Sequence, residues 1–291
     1  MHSLCRHYHI GGNMLKCICL GLLLLVIDTF GCDIPTRHYK TMKCVPVGSN
    51  ASGCPSRYEC PSLTNHDNSK CYFNGKSYAL NEQVPNELVN PYCSVLCYCQ
   101  SGSPFAKFVC THIDCPEFFN GIDRQNCIAT YKPDRCCSTG SVCGDDRKKL
   151  ARCINQNKVS LAGERMYPSS NKCLKCICHA GYNETNAAND PNCYETVCGF
   201  ELFYATQVYN GAAPVYYDDH CCPWEWRMPK DSDRLVTGKQ KTKDSALTCK
   251  YGKLTMNVGD SLVPEVTDQY TYKCSCQIPP LAQCTMEKNK K

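Results

Sequence analysis

Beyond residue 31 the chain carries a cysteine at about every tenth position, 26 of the 29 in the full sequence, and an even count permits complete pairing. At that density an exported chain is a disulfide scaffold rather than one large apolar core, whereas in a reducing compartment the same residues would serve metal or redox chemistry. The compartment therefore decides the fold class. Residues 17–27, CICLGLLLLVI, form an apolar run behind Lys16 and ahead of DTFGC. The run is short for a bilayer span and fits the hydrophobic stretch of a secretory signal, with cleavage expected after Gly31 and Met14 as an alternative start. No later stretch is apolar for long enough to be a membrane helix. The sequons at Asn50 and Asn183 are candidate glycosylation sites that agree with export.

Internal repetition organises the remainder of the chain. From Cys71 the chain reads CYFNGKSYALNEQVP, from Cys153 CINQNKVSLAGERMYP, and from Cys249 CKYGKLTMNVGDSLVP. Each copy opens on cysteine, places a lysine (Lys76, Lys158, Lys253) and then an acid (Glu82, Glu164, Asp260), and closes on Pro85, Pro168 or Pro264. Asn74-Gly75 predicts a two-residue type I′ hairpin turn, because both residues tolerate positive φ. Gln156-Asn157 and Tyr251-Gly252 are the expected turn pairs of the other copies. Tyr78 and Leu80 alternate with Ser77, Ala79 and Asn81, which predicts a strand with one buried face.

The later cysteines repeat as well. The first copy continues with Cys93, Cys97, Cys99, Cys110, Cys115, Cys127, the doublet Cys136-Cys137, and Cys143. The second has Cys173, Cys176, Cys178, Cys193, Cys198 and the doublet Cys221-Cys222; the third has Cys274, Cys276 and Cys284. Cys32, Cys44, Cys54 and Cys60 form a leader. A leading cysteine with a hairpin, a Cys-x-x-Cys-x-Cys cluster, a Cys-x4-Cys pair and a late doublet resemble the von Willebrand factor type C domain. The first copy resembles it at ten cysteine positions but separates Cys93 from Cys97 by three residues instead of two. The second lacks counterparts of Cys127 and Cys143, and the third resembles only an N-terminal half.

Three uses of the cluster CLKCICH at Cys173–His179 remain open on local grounds. Zinc needs four ligands, and a redox pair needs a helix that neither flank predicts. The position of His179 is Gln100 or Gln277 in the other copies, so structural disulfides are the expected use. The expected fold is small, disulfide-rich and mainly β, with tandem modules on short antiparallel hairpins and little helix. The segments are a signal at 1–31, a four-cysteine leader at 32–70, type C-like domains at 71–143 and 144–230, a basic linker at 231–248, and a half-domain with a basic tail at 249–291.

No hydrolase elbow, phosphate loop or HExxH zinc motif is present, and His112-Asp114 and Asp218-His220 abut cysteines. A non-enzymatic protein without cofactor is expected. The resemblance implies binding of an extracellular protein, a cystine-knot growth factor of the TGF-β/bone morphogenetic protein class, through the hairpin half represented by Tyr72, Phe73, Tyr78 and Leu80. The aromatic segment 200–226, including Trp224 and Trp226, is either a second surface or a minimal core. Net charge is +5, or +4 without residues 1–31. The clusters Arg147-Lys148-Lys149, Lys239/Lys241/Lys243 and Lys288/Lys290/Lys291 are solvated charge or a site for heparan-type glycosaminoglycan. A matrix protein with such affinity, or an arthropod-type secreted immune factor, is the alternative. Neither nucleic acid nor a membrane span is expected.

Overall fold

Every cysteine from Cys32 onward is bonded, and the bonds repeat with the sequence. In all three copies the leading cysteine joins the last of the cluster: Cys71–Cys99, Cys153–Cys178 and Cys249–Cys276. The one before it joins the next cysteine along: Cys97–Cys110, Cys176–Cys193 and Cys274–Cys284. The two copies with a doublet use it identically, through Cys93–Cys136 and Cys115–Cys137, and through Cys173–Cys221 and Cys198–Cys222. Cys127–Cys143 closes its own hairpin, and Cys32–Cys54 and Cys44–Cys60 staple the leader. The computed structural model describes residues 32–290 other than 51, 120–122, 124, 134, 156–157, 197, 219 and 239–246. The expected signal, the turn pair Gln156-Asn157, and Lys239, Lys241, Lys243 and Lys291 lie outside them.

Short antiparallel hairpins dominate, and among the described residues no α-helix exceeds five residues and none is long and apolar enough to cross a membrane. Cys71–Phe73 pairs with Lys76–Tyr78 across Asn74 (φ 53°) and Gly75 (φ 77°), the positive pair a type I′ turn requires. Arg152–Asn155 pairs with Lys158–Leu161 in the second copy, and Thr248–Tyr251 with Leu254–Asn257 in the third. In the third the register Tyr251↔Leu254 makes Gly252-Lys253 the loop, one residue later than Tyr251-Gly252. Tyr251 is drawn into the strand because its ring is fully buried and its hydroxyl donates to the Met228 carbonyl at 3.1 Å.

The acid shared by the copies has one job. Its carboxylate accepts from the backbone N–H three residues earlier: Glu82 from Ala79 at 2.8 Å, Glu164 from Leu161 at 2.6 Å, and Asp260 from Asn257 at 2.7 Å. The residue before the acid has positive φ in each case, Asn81 at 65°, Gly163 at 97° and Gly259 at 93°. This turn ends the first hairpin at Tyr78, so Leu80 does not continue the buried face and is exposed.

Sheets then join the copies. Seven strands run in the order Glu225–Arg227, Ala213–Tyr217, Gln283–Lys288, Tyr270–Ser275, Ser261–Leu262 and Leu235–Val236, with Glu265–Val266 also against Tyr270–Ser275. The bond between copies is the parallel register Val215↔Cys284, Tyr216↔Thr285 and Tyr217↔Met286. Two residues of the expected linker belong to this sheet, since Leu235 and Val236 pair with Leu262 and Ser261 at its edge.

The leader likewise does not stand apart. Tyr39 and Met42 share one core with Phe200, Val208, Trp226, Ile278 and Leu281. The Tyr39 hydroxyl donates to the Ile278 carbonyl at 2.7 Å and accepts from the Leu281 N–H at 2.9 Å. Leu202, on the short helix Phe200–Phe203, is buried in the core of the first copy with Phe73, Tyr78, Val89 and Phe108. Residues 198–228 are thus the hub that leader, first copy and third copy all pack against.

Candidate functional site

The cysteine cluster is scaffold. Cys173, Cys176 and Cys178 each enter a different disulfide, and the neighbouring His179 donates its Nε2 hydrogen to the Asp190 carboxylate at 2.7 Å, which raises its pKa. Two sulfur-rich groups, Cys93/Cys115/Cys136 and Cys115/Glu117/Cys137, are compact, but their cysteines are all oxidised and offer no thiolate to a metal. His112 stacks on Phe203 at 5.8 Å between ring centres, and His220 bonds the Tyr217 carbonyl at 2.8 Å.

The candidate ligand-binding side chains divide between interior and surface. Phe73, Tyr78 and Trp226 are buried and hold cores together, so they present nothing to a partner. Tyr72 is half-buried against His66, at 4.9 Å between ring centres, with Tyr209 beside it at 5.9 Å. The hairpin that carries these residues is covered at its turn. A Cβ on Gly75 would sit 2.6 Å from the Lys43 Cβ of the leader, so the leader packs directly on that glycine. Leu80 and Trp224 are exposed, at 44% and 56%.

The extra residue between Cys93 and Cys97 lies at an exposed apolar surface of the first copy. Ser94–Gln100 pairs with Lys107–His112 through a β-bulge between Val95 and Tyr98, with Leu96 at φ 50°. An apolar side chain in the left-handed region is strained, and a bulge re-aims its neighbours. Here the Asn86 side chain holds the Leu96 N–H at 2.9 Å while the Leu96 side chain faces solvent. Tyr98 and Val109 lie directly opposite each other across the hairpin, and both are exposed. Sequence reading names none of Leu96, Tyr98 and Val109 as functional. The signal was the three-residue spacing itself, which the second copy lacks.

A second surface surrounds Trp224. Its ring lies 5.4 Å from His220 and 6.0 Å from Tyr217, beside a cleft of about 500 Å³ bordered by Tyr167 and the doublet Cys221-Cys222. The doublet's two disulfides tether this lining to Cys173 and Cys198. Both sequons are exposed: the Asn183 side chain accepts from the Thr185 N–H and hydroxyl at 3.0 and 2.8 Å, and Asn50 accepts from Ser52 and Cys54 N–H at 3.0 Å.

No family model, curated protein or solved structure matches this chain. The functional reading accordingly rests on the residues themselves.

The electrostatics are concentrated at the hub. Glu201 is 1% exposed, accepts from the Asn74 N–H at 2.7 Å, and has its pKa pushed up to about 8 by burial. Burial lowers His38 to about 3, so it packs as the neutral ring bonded to the Tyr216 hydroxyl at 2.9 Å. Arg227, also buried, donates to both Asp233 oxygens, at 2.6 and 3.2 Å, and to Glu265 at 2.8 Å. Burial would raise Asp233, but the guanidinium and the Lys230 N–H hold it below the usual carboxylate range.

Proposed function

We propose that this chain is a secreted, non-enzymatic binding protein of the von Willebrand factor type C kind that captures an extracellular growth factor of the TGF-β/bone morphogenetic protein class and modulates its availability. The observation that carries the reading is the recurrence of one cysteine pairing in three copies, first to last of the cluster and the one before it to the next along. A pattern kept through three copies with different side chains points to a shared scaffold whose surfaces vary. Disulfides at this density persist outside the reducing cytosol, which supports export.

The first copy's outward hairpin face is the ligand surface in this reading. Leu96, Tyr98 and Val109 supply a rigid apolar and aromatic patch of the kind that dominates protein interfaces, while Phe73 and Tyr78 support it from the core behind. The test is surface-immobilised full-length protein titrated with purified dimers of that growth-factor class. Binding to at least one, weakened roughly thirtyfold or more in Tyr98→Ala as for an interface hot spot, is expected. Failure with every dimer removes the reading.

A further inference from the structure

Where leader, hub and third copy meet, an open groove of about 1160 Å³ runs along the surface, larger than the ~300–1,000 Å³ usual for drug-sized ligands. Its floor is made of ring and proline faces: His66 stacked on Tyr209 at 3.8 Å, Phe105 at 5.2 Å from His66, and Pro229 and Pro280. Its rim carries Lys230, Arg234, Lys250 and Lys253, all exposed.

The charge balance there is positive once internal pairs are removed. Asp233 is committed to the buried Arg227, and Lys230 is paired with Glu265. Arg234, Lys250 and Lys253 have no carboxylate partner among the described residues; Arg234 donates to the Asp231 and Asp233 carbonyls, and Lys250 to the Thr255 hydroxyl at 2.8 Å. Asp231 is the remaining acid on the lining. The groove offers little to an extended peptide, because backbone groups on its third-copy wall are taken: Lys250 N–H donates to Pro280, Ala282 N–H to the Lys250 carbonyl, and Gly252 N–H to Gly211. Ring faces instead suit the CH faces of pyranoses, the amides of Asn68 and Asn210 suit hydroxyls, and unpaired cations suit sulfates.

We infer that this groove binds a sulfated glycosaminoglycan, with Arg234, Lys250 and Lys253 taking the sulfates and Tyr209, His66 and Phe105 the sugar rings. The site exists only in the assembled unit, since its walls come from residues 63–68, 208–211, 228–234 and 250–254. It is independent of the growth-factor reading.

The experiment is calorimetry of the full secreted chain with a heparin-derived oligosaccharide, at two salt concentrations. R234Q/K250Q/K253Q is compared with K107Q/K132Q/K158Q, which neutralises as many exposed cations elsewhere. The groove variant is expected to bind about tenfold or more weakly and to lose salt dependence, since fewer counterions are exchanged, while the control retains nearly wild-type affinity. Heparin is also expected to shield Lys250 and Lys253 from acetylation in the unaltered protein, a readout that holds even if the triple variant folds poorly. Equal loss in both variants, loss confined to a variant of Lys239, Lys241 and Lys243, no shielding, or competition by polyglutamate as strong as by heparin would each overturn the assignment.

Discussion

The backbone N–H of Asn74 donates to the Glu201 carboxyl at 2.7 Å, joining the first copy's turn to a helix 127 residues later, with no cation among the described residues to balance a charge there. A carboxyl with a folded pKa of about 8 and an ordinary unfolded value of 4.5 binds more protons in the folded state between those values. This group's contribution to stability is therefore greatest below pH 4.5, falls as the pH rises, and is lost above about 8. Glu201→Gln is expected to match wild type near pH 5 and to exceed it at pH 9 by about a few kcal/mol. Denaturant unfolding across that range, with disulfides intact, measures the difference, and parallel pH curves for the two proteins would contradict the assignment.

Arg227→Ala leaves the Asp233 side chain, 5% exposed, buried without its counterion. Breaking one side of a buried pair costs about 3–5 kcal/mol, so this variant should unfold at clearly lower denaturant and lose the arrangement around Tyr251. Lys273→Ala removes only the exposed pair with Glu287 and should stay within about 1 kcal/mol of wild type.

Tyr39→Phe deletes one donor and one acceptor at once, leaving the Ile278 carbonyl and Leu281 N–H short of a buried partner. A loss of about 1–3 kcal/mol is expected. Hydrogen exchange should rise both in the leader and near residues 278–282; a change in the leader alone would mean that the two are not held together through this hydroxyl.

Thirteen disulfides close loops of 10 to 48 residues. At roughly 3–4 kcal/mol per loop in the chain-entropy account, reduction is expected to unfold the whole unit, monitored as loss of near-ultraviolet dichroism. EDTA without reductant should leave the spectrum unchanged. Unfolding by chelator would restore a structural metal to consideration.

Local features were legible in the sequence and long-range ones were not. Asn74-Gly75 announced its turn because positive φ is a property of those two residues, and the equivalence of the copies was written in cysteine spacing. Spacing does not say which thiol meets which, and two- to seven-residue strands carry too short a hydrophobic pattern to reveal partners. The parallel register between Val215 and Cys284, the burial of Leu202 in the first copy's core, and the docking of Tyr39 all join positions far apart in the chain. Of the six candidate binding side chains, Phe73, Tyr78 and Trp226 proved interior because so small a core draws on every large ring within reach. The bulged Leu96 was missed because an added residue reads as a departure from a pattern rather than as a displayed side chain.

The bonds of Tyr39 to Ile278 and Leu281 also set an order of manufacture. A ribosome delivers the leader well before the residues that seat it, which lie 239 and 242 positions further along the chain. Domains commonly fold as they are synthesised, N-terminal portion first. Here the leader's half of the interface waits without its partners until residues 278–281 have been made.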